Sequence, residues 1–430
     1  MPSSWQRTAL RDLAAFTRGV SWSKSEESHD GSGTVVVSIP NIKQGHLDID
    51  GARHRLKERP KASKILALDD VLFVGSSGSI HNVGRNSRVT ELPREAVAFA
   101  SFTFKATPNT EVCDPAFFYY LMNSPLTRFA DFARRAADGK FNFQLSDFVS
   151  RSSFLIPDKG EQQQIALVLS VVERAIERQE RLIVLGAELK KALIHNFFTT
   201  GTRGEPLVQT EIGLVPESWT VAELQEHSEA PQYGFTASAA LTGNAQLLRI
   251  TDIQRSGVDW SAVPRCECPS DELDKYRLLS RDLVFARIGA TTGKNFLVLN
   301  PPQDVVFASY LIRVRTSASL SSMFLAFYCQ SAPYWRQIAA SKGNNLKGGF
   351  NSSLLRRLLV PIPSDMSEQN RIAAALEAVD QKNQVARRCV ATLNSLFRTL
   401  LHQLMTGEVR VDDLDLAVLE QFRTQPARVA

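Results

Sequence analysis

At 430 residues the chain is too long for one ordinary hydrophobic core, and two or more domains are expected. A composition of 43% hydrophobic and 22% charged residues excludes a disordered chain, and no apolar run reaches membrane-spanning length. The formal charge of +5 is compatible with nucleic acid but does not name it; five scattered cysteines and no signal-like N-terminus point to a reducing compartment, the cytoplasm.

In chain order, Trp5, Leu10 and Leu13 form a short amphipathic opening, and the Ser- and Gly-rich stretch 21–33 reads as an exposed loop. Strands are expected at Thr34 to Ile39, at Asp70 to Val74 and over Ala96 to Phe104, with a helix from Pro115 to Phe132. A basic, polar segment from Ala133 to Ser146 carries Arg134, Arg135, Lys140, Asn142 and Gln144, and a strand Phe154-Leu155-Ile156-Pro157 closes the section.

A long helical pattern then begins at Glu161-Gln162-Gln163-Gln164-Ile165-Ala166 and closes through His195, Thr199, Thr200 and Gly201. The same signature returns as Glu368-Gln369-Asn370-Arg371-Ile372-Ala373, closing through His402, Thr406 and Gly407 at a constant offset of 207 residues. Between them a second section repeats the first. Trp219 and Leu224 echo Trp5 and Leu10, Asp282 to Ala286 echoes Asp70 to Val74, Tyr310 to Arg315 matches the strand around Phe102, and Ser322 to Trp335 matches the aromatic helix. The segment from Lys342 to Lys347 stands in place of the one around Lys140, and Leu359 to Pro363 closes the section.

Ile165, Leu169, Val172 and Ile176 recur at alternating spacings of four and three, the seam of a coiled coil. Gly186 and Lys190 interrupt that face, and Leu182, Leu185 and Leu189 offer an adjacent stripe. The second helix keeps the rule throughout, in Ile372, Leu376, Val379, Asn383, Ala386, Val390, Leu393, Phe397, Leu400 and Leu404, with Asn383 the one polar member of this set. Two such helices bury both seams by pairing antiparallel. The fold class is therefore α/β: two similar mixed α/β domains separated by an antiparallel coiled coil, with internal pseudo-two-fold symmetry.

No catalytic constellation emerges. Gly289-Ala290-Thr291-Thr292-Gly293-Lys294 is one residue short of a phosphate-binding loop and is followed by Asn295 rather than Ser or Thr. Gly75-Ser76-Ser77-Gly78-Ser79 lacks the dinucleotide-loop spacing and reads as a turn. Asn300-Pro301-Pro302 resembles the amino-methyltransferase tetrapeptide but continues with Gln303, without the aromatic that would stack on an extruded base. Cys266 and Cys268 have no companion pair, so packed thiols are favoured over a metal site.

The paired domains, the doubled Glu-Gln-x-x-Ile-Ala starts after Ile156-Pro157 and Ile362-Pro363, and the two long helices together resemble the specificity subunit of type I restriction-modification systems, from Trp5 to Gly407. The resemblance implies a first target recognition domain at 1–157, a central helix at 158–200, a connector and second recognition domain at 201–363, a C-terminal helix at 364–407 and a tail at 408–430. It implies a non-catalytic reader of a bipartite asymmetric DNA target. Its helices would set the spacer and dock two modification subunits, which carry S-adenosylmethionine and methylate adenine at N6; ATP-driven restriction subunits would complete the complex. No cofactor is expected in this chain.

Base-edge reading uses Arg or Lys donors toward guanine and Asn or Gln amides toward adenine, on a scaffold aligned by phosphate contacts. By residue type and loop position the candidates are Ser76, Ser77, Ser79, Lys140, Asn142 and Gln144 in the first domain. In the second they are Arg287, Thr291, Thr292, Lys294, Lys342, Asn344, Asn345 and Lys347. Phe143 and Phe350 are expected to finish the domain cores. A solitary DNA methyltransferase or fused endonuclease, and a protein-binding adaptor, are the alternative readings.

Overall fold

The computed structural model describes residues 4–43, 45–254, 257–343 and 350–414, with the backbone alone at 341–343. It forms two compact units, one made of Met1–Arg178 and Val390–Ala430 and the other of Gln179–Cys389. Each is a mixed α/β body that holds part of both long helices, Lys159–Thr200 and Met366–Thr406.

In the first unit, four antiparallel strands lie in the order Ala14–Arg18, Thr103–Pro108, Val71–Val74, Asn86–Arg88. A second sheet places Thr34–Val37 between antiparallel His54–Leu56 and parallel Val97–Phe99. Gln6–Ala9 pairs with Ser153–Ile156, so the opening expected to be amphipathic is a strand that turns into the short helix Leu10–Leu13. The single strand expected over Ala96 to Phe104 is two strands, Val97–Phe99 and Thr103–Pro108, separated by a turn. The helix expected to Phe132 stops at Asn123, because Pro125 disfavours helical geometry in the residue before it.

The second unit repeats the strand order. Gln232–Tyr233, Leu311–Val314, Leu283–Ala286 and Asn295–Leu297 form the antiparallel sheet; Ala245–Leu248 lies between Arg265–Cys266 and parallel Val305–Phe307; Trp219–Glu223 pairs with Leu359–Pro363. The aromatic helix is broken into Ser322–Tyr328 and Ala332–Gly343. Phe143 and Phe350 are both buried, stacked on Phe104 at 5.1 Å and on Phe285 at 6.0 Å. Cys266 and Cys268 are buried too, and no cluster of metal-ligating side chains occurs among the described residues.

The doubled helix signature has a mechanical explanation. Asp158 and Asp365 cap the helices, accepting from the Glu161 and Ser367 backbone N–H at 3.0 and 2.8 Å. Gln162 and Gln369, each 1% exposed, tie the helix start to the domain. The Gln162 amide accepts from the Asp114 N–H at 2.8 Å and donates to the Val112 and Pro157 carbonyls; that of Gln369 accepts from Ser321 N–H at 2.8 Å and donates to Ser319 and Pro363. The glutamates hold the end of the other helix. Glu161 accepts from Arg410 at 2.9 Å and from the Trp5 indole at 3.2 Å, and Glu368 accepts from Thr202 at 2.8 Å and lies 3.1 Å from Arg203. Both arginines follow a left-handed glycine that ends the helix, Gly407 at φ +70 and Gly201 at φ +65.

Within the first unit Ile165, Ala166 and Leu169 share a core with Leu401, Leu404 and Met405; within the second, Ile194 and Phe198 share one with Ile372 and Leu376. In each unit the start of one helix therefore packs with the end of the other, the antiparallel arrangement. The expected interruption of the seam is filled from the facing helix. A Cβ on Gly186 would stand 2.2 Å from Asn383 Oδ1, so the missing side chain makes room for that amide, and Lys190 pairs with Asp380 at 2.6 Å. Leu182, Leu185 and Leu189 are exposed. In the first unit the position corresponding to Asp380 is Glu173, which accepts from the Tyr120 and Tyr119 hydroxyls at 2.8 and 3.2 Å; burial holds its carboxyl above the ordinary carboxylate range, against the pull of those bonds.

Candidate nucleic-acid interface

In the first unit the basic segment expected to be irregular is a β-ribbon. Ala133–Arg135 pairs with Phe141–Phe143, and the latter pairs with Ser76–Ser77, which leaves the central strand Val71–Val74 one residue beyond its end. Alternation along the ribbon sets which residues of the central cross-strand pairs face away from the core. Ala133 and Phe143 are opposite one another and buried, so Arg134 and Asn142, the next cross-strand pair, are presented outward, and both are exposed. Arg135 is exposed as well, and Lys140 lies at the turn, 3.4 Å from Asp138.

The ribbon thus offers guanidinium, ammonium and carboxamide donors together. Gln144 follows it, half-buried, its amide donating to the Asn142 carbonyl at 3.4 Å. Ser76 is buried, Ser77 half-buried and Ser79 exposed, so of the three only Ser79 stands freely in solvent. Arg134 stands out only once the pairing is known, because the register turns it away from the core.

In the second unit Arg287 follows the strand Leu283–Ala286 as Gly75 follows Val71–Val74. Its guanidinium lies over the Tyr233 ring at 4.8 Å and donates to the Ser309 carbonyl at 3.4 Å. The Gly289 to Lys294 stretch joins two antiparallel strands, Leu283–Ala286 and Asn295–Leu297, and no helix N-terminus is presented as a phosphate loop requires. Gly293 closes it with φ +87, its N–H donating to the Ala286 carbonyl at 2.8 Å. Thr292 is held to the Gly289 carbonyl at 2.7 Å, Thr291 is half-buried and Lys294 is exposed. Asn344, Asn345, Lys347 and the side chain of Lys342 lie outside the described residues.

Asn300 sits in a left-handed turn at φ +46 and is exposed, a surface corner rather than the floor of a base pocket. No helix among the described residues is long and apolar enough to cross a membrane.

No protein-family model matches the chain. It is 23% identical over 270 residues to the type I restriction enzyme MjaVIII specificity subunit of Methanocaldococcus jannaschii, a match covering 60% of this chain and 63% of that protein, less than two thirds of its length. To the putative type I restriction enzyme MjaX specificity subunit of the same organism it is 21% identical, over 96% of this chain and 95% of that one. The crystal structure of the S subunit of a type I restriction-modification system from M. genitalium superposes with a TM-score of 0.60 at 14% identity, covering 93% of this chain and 96% of that one. At low identity, the chain is homologous to type I specificity subunits and has their fold.

Proposed function

We propose that the chain is the non-catalytic DNA-specificity subunit of a type I restriction-modification complex. In this reading residues 1–157 and 201–363 are target recognition domains, each reading one half of a bipartite asymmetric sequence. The helices at 158–200 and 364–407 form one antiparallel coiled coil with approximate two-fold symmetry that sets the spacer. Arg134, Lys140 and Asn142 of the ribbon read or align the first half-site, and Arg287 and Lys294, with the segment from Lys342 to Lys347, act in the second.

The observation that carries the reading is the duplicated scaffold with unlike surfaces. Two sheets of the same strand order are each tied to the helices by an equivalent glutamine and glutamate, while the side chains turned outward differ between the copies. A reader of two unlike half-sites needs that combination. The exposed Leu182, Leu185 and Leu189 give the first helix an apolar outer stripe suited to docking modification subunits, with restriction subunits joining the larger assembly.

The test is methylation of a random duplex library by the chain reconstituted with its modification subunits, read at single-base resolution. Adenine methylation at a two-part motif with a fixed gap is expected, and exchanging one recognition domain should change one half of the motif only. Modification by this chain alone would replace the reading with an enzymatic one. A competent complex without sequence preference would overturn it in favour of an adaptor.

A further inference from the structure

Each unit turns one large aromatic ring into solvent at the same place in its fold. Phe102 is 63% exposed and Tyr310 is 56% exposed, although the neighbouring Phe99 and Phe307 are fully buried. The two rings belong to a repeated sequence, Phe99-Ala100-Ser101-Phe102 and Phe307-Ala308-Ser309-Tyr310. Both sit at the third position of a tight turn closed by a backbone bond, from Thr103 N–H to the Ala100 carbonyl at 2.9 Å and from Leu311 N–H to the Ala308 carbonyl at 2.8 Å.

The turns are held rigidly and alike. Gly19 N–H donates to the Thr103 carbonyl at 3.1 Å, and Gly234 N–H to the Leu311 carbonyl at 3.1 Å. A Cβ on Gly19 would stand 2.0 Å from the Ala100 oxygen, and one on Gly234 would stand 2.3 Å from the Ala308 oxygen, so only glycine admits this approach. The carbonyl of each aromatic residue is fastened to the candidate interface. Phe102 accepts from the Gly75 N–H at 2.8 Å, and the Gly75 carbonyl in turn accepts from Phe143 in the ribbon at 2.9 Å; Tyr310 accepts from the Arg287 N–H at 3.1 Å.

A single exposed ring is ordinary. Two exposed rings at equivalent corners, each on a turn whose backbone is held by a glycine and bonded to the candidate interface segment of its own unit, are a repeated arrangement that folding does not call for. Charge indicates the occupant: the backbone that anchors each turn runs into the ribbon of Arg134 and Asn142 in one unit and into Arg287 in the other, basic segments suited to a polyanion carrying apolar groups. We infer that Phe102 and Tyr310 are specificity-determining residues that contact the apolar surface of one nucleobase in each half-site, the methyl edge of a thymine or the face of a base. The inference rests on the function proposed above.

The experiment uses the full chain with its modification subunits, selected on a random duplex library, for the wild type, Phe102→Ala, Tyr310→Ala and Tyr310→Phe. Phe102→Ala is expected to abolish preference at one position of one half-site, with affinity for the original site falling about five- to a hundredfold. Tyr310→Ala should do the same in the other half-site, and Tyr310→Phe should retain the preference. Replacing thymine by deoxyuridine at the affected position separates the two contacts: a matching loss assigns the methyl edge, and an unchanged affinity assigns the base face. Retention of every preference by both alanine variants would overturn the inference while leaving the proposed function standing, as would loss of subunit assembly with unchanged preference. A wild-type complex that selects no motif would remove the proposed function and this inference with it.

Discussion

The link between Glu161 and Arg410 provides the sharpest test of how the start of one helix is tied to the end of the other. Glu161 is 8% exposed and receives two charge-assisted bonds from Arg410, at 2.9 and 3.2 Å, besides the Trp5 indole at 3.2 Å. A buried carboxylate stripped of its cation costs about 3–5 kcal/mol when both members are sealed from water. Arg410 is 35% exposed, so solvent screens the pair and the expected loss for Arg410→Met is about 2 kcal/mol. For a unit of this size that corresponds to a melting temperature lower by roughly 4–8 °C in calorimetry. Glu161→Gln should cost a similar amount. The two together should cost less than their sum by about 1–2 kcal/mol, because each single change already destroys the pair. Additive losses, within about 0.5 kcal/mol, would show that the contact is an incidental surface pair and that the repeated glutamate has another purpose.

Leu376→Glu places a charge at a fully buried seam position and should unfold or severely destabilise the second unit, by about 4 kcal/mol or more, whereas Leu393→Glu at a half-buried position should cost less; equal losses in denaturant titrations would contradict the burial ranking. Lys190→Met removes the partner of Asp380, which is 45% exposed, and should cost about 1 kcal/mol at low salt and less in 1 M salt; a loss indifferent to salt would mean that packing, not charge, matters there. Glu173 carries a raised carboxyl pKa because burial disfavours its charge. Its contribution to stability is therefore full below the unfolded carboxylate value and is lost as pH rises through the higher folded one. Glu173→Gln should raise the melting temperature at pH 8 relative to the wild type and change it little at pH 4; a pH-independent difference would rule this assignment out.

The scaffold was legible in the sequence wherever the period of the apolar residues sufficed. Ile372, Leu376 and Leu404 are buried as the heptad spacing requires, and the repeat of the two halves appears as the repeated strand order. What the spacing could not reveal were partners supplied from far away in the chain. Gly186 and Lys190 look like faults in a seam until Asn383 and Asp380 face them, and the purpose of Glu161 depends on Arg410. The candidate interface segment was legible by composition but not by direction: the stretch holding Arg134, Lys140 and Asn142 is visibly basic, yet only the cross-strand register sends Phe143 inward and Asn142 outward. Phe102 and Tyr310 passed as strand residues because a run of β-formers conceals a turn that has neither proline nor glycine within it. Their signal was the repeated Phe-Ala-Ser-aromatic sequence.

Where the two halves diverge inside the scaffold, the divergence is itself informative. The constant offset sets Glu173 against Asp380, Tyr120 against Phe327 and Phe397 against Lys190. In the first unit the acid is satisfied by two tyrosine hydroxyls, and the end of the second helix brings Phe397 to 6.1 Å from the Tyr120 ring. In the second the acid is satisfied by Lys190, which also lies 5.1 Å from the centre of the Phe327 ring. Exchanging the helix ends would leave Asp380 facing Phe397 without a cation or hydroxyl. An apolar seam alone is tolerant of such exchange, since leucine packs on leucine in many registers. The polar complements make the wrong pairing costly, so each unit selects its own helix end by what the alternative would leave unsatisfied as well as by what the correct end contributes.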